Sequence, residues 1–192
     1  MIRVAIVGEI GCGKSYISKK FGAPVFNADV EVNRLYKKSK KCYKKLRKAL
    51  PKYITSWPIK KTNLAKAIES NQKNIKKITK IIHPEIRLKM NDFIKKNKNK
   101  KFVVLDIPLF LENKINKKND VIIFVDAKKK DIYKRLKKRP NINFKIVKKL
   151  KKLQLPIEIK KKKSNFIIKN NFNNKYIKKD VTKVKKKILA NA

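Results

Sequence analysis

Five short apolar runs, separated by stretches in which apolar residues recur at helical spacing, set the pattern of the chain. The runs are Arg3-Val4-Ala5-Ile6-Val7, Ala23-Pro24-Val25-Phe26-Asn27-Ala28, Phe102-Val103-Val104-Leu105-Asp106, Asp120 to Asp126, and Asn165 to Asn170. All are short; the first is β-branched, and the fourth is continuous in apolar content, as in a strand of a parallel sheet covered on both faces. Between the first two, Ser15 to Phe21 has helical spacing, and Gly22 is placed to stop it. Val30 to about Asn99 is mostly helical in pattern, with breaks expected at Pro51, Trp57-Pro58 and His83-Pro84. Within it Lys61 to Ala65 reads as a helix start, Ile75, Ile78, Ile81 and Ile82 form one apolar face, and Pro84 suits a helix's first position. From Lys175 the tail is an amphipathic helix carrying Ile177, Val181, Val184, Ile188 and Leu189. Strands alternating with helices predict a three-layer α/β fold with a five-stranded parallel sheet. At 192 residues the chain is one domain. Its core is expected over about 1–29, 100–139 and 164–192, a helical insertion over about 30–99, and a basic helical segment, plausible as a lid, over about 140–163.

The first strand runs directly into Gly8-Glu9-Ile10-Gly11-Cys12-Gly13-Lys14-Ser15, which fits the phosphate-cradling P-loop, G-x-x-x-x-G-K-[ST]. The chain has four glycines, and three fall here. Small residues let successive backbone N–H groups curl around a phosphate, and the new helix adds the positive end of its dipole. Lys14 can then reach the β- and γ-phosphates while the Ser15 hydroxyl ligates magnesium. The fold expected is therefore a P-loop NTPase fold.

Carboxyl ends of parallel strands collect ligands, so residues just past the end of each run are candidates for chemistry. Asp29 stands after the second strand, where it either serves an attacking hydroxyl or caps the helix beginning at Val30. Asp106 ends the third strand as a Walker B aspartate does beside magnesium, although any buried strand ending in Asp matches. Pro108-Leu109-Phe110-Leu111-Glu112 comes next as a loop at the same sheet edge. Arg135 and Arg139, spaced i,i+4 beyond the fourth strand, would lie on one helical face and either clamp phosphates or form a solvated basic face. His83, the single histidine, either marks a helix junction or contacts substrate.

The formal charge of +43 alters this picture little. Only six of the 56 basic residues are Arg, and Lys recurs along the whole chain instead of forming a stripe. A selected nucleic-acid surface would favour Arg, so nucleic acid is not an expected partner. Cys12 and Cys42 are too few for a disulfide framework or zinc site, and no apolar run approaches the ~18 residues of a membrane span. No signal peptide is read at the N-terminus. A soluble, cytoplasmic protein with no membrane partner, and a monomer, is expected.

Several of these motifs in order resemble dephospho-CoA kinase, the P-loop kinase family that phosphorylates the 3′-hydroxyl of dephospho-coenzyme A. The resemblance runs almost end to end. It rests on the loop from Gly8 to Ser15, on Asn27-Ala28-Asp29 against an Asp-Ala-Asp triplet, and on His83-Pro84. It continues in Pro108 to Glu112, the paired arginines, and the later set Gln154, Pro156, Lys160 and Asn170. The resemblance implies ATP on Gly8, Glu9, Ile10, Gly11, Cys12, Gly13, Lys14, Ser15 and Tyr16, with Asn170 nearby, and Mg²⁺ on Ser15 and, through water, Asp106. It implies dephospho-CoA against the insertion, with Asp29, His83, Pro108 and Leu109 in contact, and Asp29, Lys14 and Arg139 as the catalytic set. The chain departs from the family pattern at Glu9, Tyr16, Asn27, Lys60-Lys61 and Leu150. Other readings of the same motifs are a nucleoside or nucleotide monophosphate kinase, a nucleic-acid-stimulated ATPase, and a binding protein without turnover.

Overall fold

The computed structural model describes residues 1–140 and 142–190; one residue of the expected lid (141) and the last two of the tail (191 and 192) lie outside it. Five parallel strands, β1 (Ile2–Gly8), β2 (Val25–Asn27), β3 (Phe102–Asp106), β4 (Val121–Asp126) and β5 (Phe166–Lys169), form one sheet in the order β2-β3-β1-β4-β5. Each strand coincides with its expected run to within two residues at either end.

Period-two alternation in β1 assigns each side chain to a face. Val4 and Ile6 pack with Ile17 and Phe21 of α1 (Lys14–Lys20) and the residue after it, with Ile132 and Leu136 of α6 (Lys129–Lys137), and with Ile177, Val181, Val184 and Ile188 of α9 (Asn174–Ala190). Ala5 and Val7 face the opposite cluster, which contains Phe26, Leu105, Phe110 and Phe124. That cluster extends into α2 (Ala28–Lys38), α3 (Lys40–Ala49), α4 (Lys61–Ser70) and α5 (Lys73–Lys96) through Leu35, Leu46, Leu64 and Ile82. These are the three layers expected. Fully buried side chains such as Phe21 and Ile6 each contribute roughly 1.5–3 kcal/mol by leaving water.

Pro84 does not begin a helix: it lies inside the 24-residue α5. A proline there removes one backbone bond and disfavours helical geometry at His83. The apolar face nevertheless continues on both sides of it, with Ile75, Ile78, Ile82, Ile86 and Met90 all buried. Burial of that continuous stripe outweighs the local penalty. Conversely, the expected breaks lack the junction at Ser39, whose side chain accepts from the Cys42 N–H and starts α3.

After α6 the chain forms α7 (Phe144–Lys151) and α8 (Ile157–Lys162). Lys160 of α8 is only 2% exposed, and its Nζ lies 2.8 Å from Glu112 Oε1, an ion pair between α8 and the loop after β3. The same Glu112 oxygen accepts the Leu155 N–H at 2.9 Å. Across α7, Lys149 Nζ donates to the Ile68 and Glu69 carbonyls at the end of α4. Residues 142–163 thus contact the sheet side, through Glu112 and Asp126, and the insertion.

Candidate active site

The loop from Gly8 to Ser15 bends between β1 and α1. Gly13 has φ +98°, and a Cβ there would stand 2.3 Å from Asn170 Nδ2, so no other residue fits without displacing that amide. Asn170, 2% exposed at the end of β5, donates from Nδ2 to the Cys12 carbonyl at 2.7 Å and from its backbone N–H to Asp126 O at 2.6 Å. Strand β5 thereby holds the loop's curvature. Lys14 Nζ donates to the Gly8 and Glu9 carbonyls at 3.1 and 2.7 Å. Cys12 is buried, and burial pushes its thiol pKa up, which leaves it a packing residue and not a nucleophile.

Beyond the loop opens a cavity of about 450 Å³. One wall is Ile10, Gly11, Gly13, Lys14, Ser15 and Tyr16; another is Asp106, Pro108 and Leu109 at the end of β3. The insertion contributes Asp29, Val32 and Tyr36 from α2 and Ile78, Thr79, Ile82 and His83 from α5. Arg135, Arg139, Leu150 and Gln154 complete it. Of the residues singled out from sequence, Gly8, Glu9, Cys12 and Asn170 do not line the cavity; Gly8 and Cys12 shape the loop from within, and Asn170 braces it. The Glu9 carboxylate points toward Lys151 of α7, 3.7 Å away, on the outer side of the loop.

Asn27 caps α2, accepting the Val30 N–H on Oδ1 at 2.9 Å, so Asp29 is not the cap. The helix begins at Ala28, earlier than expected, because Asn27 supplies the extended capping conformation. Asp29 stands in its first turn and lines the cavity. The other end of the Asn27 amide donates to Asp106 Oδ2 at 2.5 Å and lies 3.5 Å from Ser15 Oγ. Carboxylate and hydroxyl therefore converge beside one amide. Burial pushes the Asp106 carboxyl pKa up, against the opposing pull of Ser15, Lys14 and Asn27, with Asp29 adding to the rise. A hydroxyl, a carboxylate and space for phosphate oxygens form a hard-oxygen set suited to Mg²⁺, which usually keeps waters and phosphate ligands in place of an all-protein cage. Among the described residues no group of three or more His, Cys, Asp or Glu side chains stands together as a metal cage.

Arg139 lies two residues past the end of α6, so the two arginines do not share a helix, yet both reach the cavity. Arg135 also stacks 5.1 Å over the Phe172 ring. His83 is half-buried, and burial followed by the Arg87 charge lowers its pKa, keeping it neutral at pH 7. Tyr36 was not anticipated; its phenol is pushed up to about 12, chiefly by burial. Spacing could have found it, since Asp29, Val32 and Tyr36 at i, i+3 and i+7 share one face of α2.

The family model for dephospho-CoA kinase matches residues 2–175. Among curated relatives, the dephospho-CoA kinase of Wolbachia pipientis is 34% identical over 179 residues, covering 91% of each chain. That of Bartonella quintana is 33% identical, covering 86% of this chain and 87% of its own. Among solved structures, a Thermus thermophilus protein superposes with a TM-score of 0.78 at 22% identity, covering 95% of both chains. The dephospho-CoA kinase of Campylobacter jejuni gives 0.64 at 23%, covering 97% and 96%. No helix among the described residues is long and apolar enough to cross a membrane. A P-loop, two carboxylates and a largely apolar wall from the insertion around one cavity thus occur in a chain that belongs to the dephospho-CoA kinase family.

Proposed function

We propose that this cavity carries the reaction of a dephospho-CoA kinase: the 3′-hydroxyl oxygen of dephospho-CoA attacks the γ-phosphorus of ATP, giving coenzyme A and ADP. The observation that carries it is that the P-loop, Asp29, Asp106 and both arginines line the same cavity as Tyr36, Ile78 and His83 of the insertion. A donor loop and an acceptor wall that share one space allow in-line transfer, for which positioning and charge neutralisation matter most.

Within the loop of residues 8 to 16, Ile10, Gly11, Gly13, Lys14, Ser15 and Tyr16 face the ATP phosphates, Gly8, Glu9 and Cys12 shape the loop, and Asn170 braces it. Ser15 directly, and Asp106 through water, would hold Mg²⁺, which when bound neutralises charge between the β- and γ-phosphates. Lys14 redirects its ammonium from the loop carbonyls to the phosphates. Asp29 accepts or orients the hydroxyl proton, and Arg139, with Arg135, meets charge on the phosphoryl oxygens. His83, neutral, together with Pro108 and Leu109, contacts the acceptor. We further assign the core, insertion and lid to the segments expected from the sequence, and a monomeric, cytoplasmic protein without a nucleic-acid partner.

The test is an ADP-release assay with ATP, Mg²⁺ and dephospho-CoA, with AMP and adenosine as parallel acceptors and Lys14→Ala as control. Turnover confined to dephospho-CoA and lost in the control is expected. Faster turnover with AMP, or ATP binding with no turnover on any acceptor, would refute the assignment.

A further inference from the structure

We infer that Gln154 is a positioning residue for the P-loop lysine: it takes over the Gly8 carbonyl and so lets the Lys14 ammonium turn to the phosphates. The inference rests on the reading of residues 8 to 16 as the ATP site.

Lys14 Nζ has three N–H donors. In this structure they go to Gly8 O at 3.1 Å, to Glu9 O at 2.7 Å and, weakly, to Cys12 Sγ at 4.0 Å. Reaching both the β- and γ-phosphates takes two donors, so at least one carbonyl must be given up. Gly8 ends β1; it is still in register with Val125 of β4, but on the other side the β1–β3 pairing stops at Ala5 and Leu105, three residues earlier. A part-buried carbonyl left without a donor carries a desolvation penalty that is charged against ATP binding. Gln154 Nε2 already donates to that same oxygen at 3.3 Å. Its contact, at 3.3 Å against 3.1 Å, is the longer of the two and has room to shorten once Lys14 turns away.

The amide is held in place from the sheet. Glu112 Oε1, on the loop after β3, accepts the N–H of the next residue, Leu155, and pairs with Lys160. The Gln154 N–H itself donates to the Lys151 carbonyl at the end of α7. Gln154 is thereby fixed on both sides, between the α7 terminus and the buried pair, while its side chain lines the cavity. Such an arrangement suits a group that must stay in place while its neighbour moves.

The test is calorimetric titration of ATP–Mg²⁺ into the full chain as wild type, Gln154→Ala, Lys14→Ala and the double variant, with melting temperatures recorded without nucleotide. Gln154→Ala is expected to weaken ATP about tenfold when Lys14 is present, and less than twofold when Lys14 is already Ala. Without nucleotide, Gln154→Ala should melt close to wild type because Lys14 still pairs the carbonyl, and the double variant should fall by more than the sum of the singles. Gln154→Glu, of the same shape but an acceptor only, should bind ATP at least as weakly as Gln154→Ala. Equal weakening in both Lys14 backgrounds, additive melting shifts, or wild-type affinity in Gln154→Glu would each overturn the inference. Failure of the wild-type chain to bind ATP would instead overturn the underlying reading of the P-loop.

Discussion

Replacing Lys160 by Met isolates the tie between α8 and the sheet. The Lys160 and Glu112 side chains are 3% and 10% exposed and their charged atoms lie 2.8 Å apart, so water screens the pair little. Methionine fills nearly the same volume without the ammonium, which leaves the Glu112 carboxylate buried with the Leu155 N–H as its remaining partner among the described residues. Removing one member of a buried pair costs about 3–5 kcal/mol. For a chain of this size each kcal/mol lowers the melting temperature by roughly 2–4 °C, so a fall of about 6–20 °C is expected. Adding Glu112→Gln removes the orphaned charge while its carbonyl still accepts from Leu155. The double variant should therefore return to within about 1 kcal/mol of wild type. Urea unfolding of the three proteins provides the measurement. A loss under about 1 kcal/mol for Lys160→Met, or a double variant no better than the single, would refute the reasoning, because it would mean that water reaches the pair.

Gly13→Ala combines an unfavourable φ with a clash against Asn170 Nδ2, and should weaken ATP at least about tenfold by opening the Cys12 contact; titration with ATP checks it, and unchanged affinity would show that β5 does not shape the loop. Asp29→Asn should lower kcat by orders of magnitude while ATP affinity stays within a few-fold, read by steady-state kinetics; turnover close to wild type would remove Asp29 from the reaction. His83 has a lowered pKa in the folded chain, so the stability it contributes is present above the unfolded-state value near 6.5 and is lost as pH falls from there toward the folded value. His83→Gln should flatten unfolding free energy against pH in that window, and an unaltered profile would mean another group titrates there.

The strands and the P-loop were legible because their signals are local. A continuous apolar run between turn residues can bury itself only in a covered sheet, and only glycine tolerates the backbone of Gly13. The positions of Asp29 and Asp106 were legible for a related reason: residues at or just past the ends of parallel strands share one edge of the sheet. The reading failed where a non-local contact outweighed a local preference. Pro84 locally favours a helix start, but the buried faces before and after it belong to one stripe packed on the core, so the helix runs through. Asn27 caps α2 through a local contact to the Val30 N–H, and only the position of β2 against β3 put the other end of its amide against Asp106, 79 residues away.

By itself, then, the sequence determined the class of fold, the phosphate loop and the strand-end carboxylates, since these depend on the spacing and chemistry of neighbouring residues. Tertiary structure alone decided that Tyr36 and Thr79 line the same cavity as Lys14, that Asn170 braces Cys12 across 158 positions, and that Gln154 shares an oxygen with Lys14. Each of those depends on how separate elements pack around the sheet. No short-range pattern encodes a contact whose two halves are brought together only by burial of a common core.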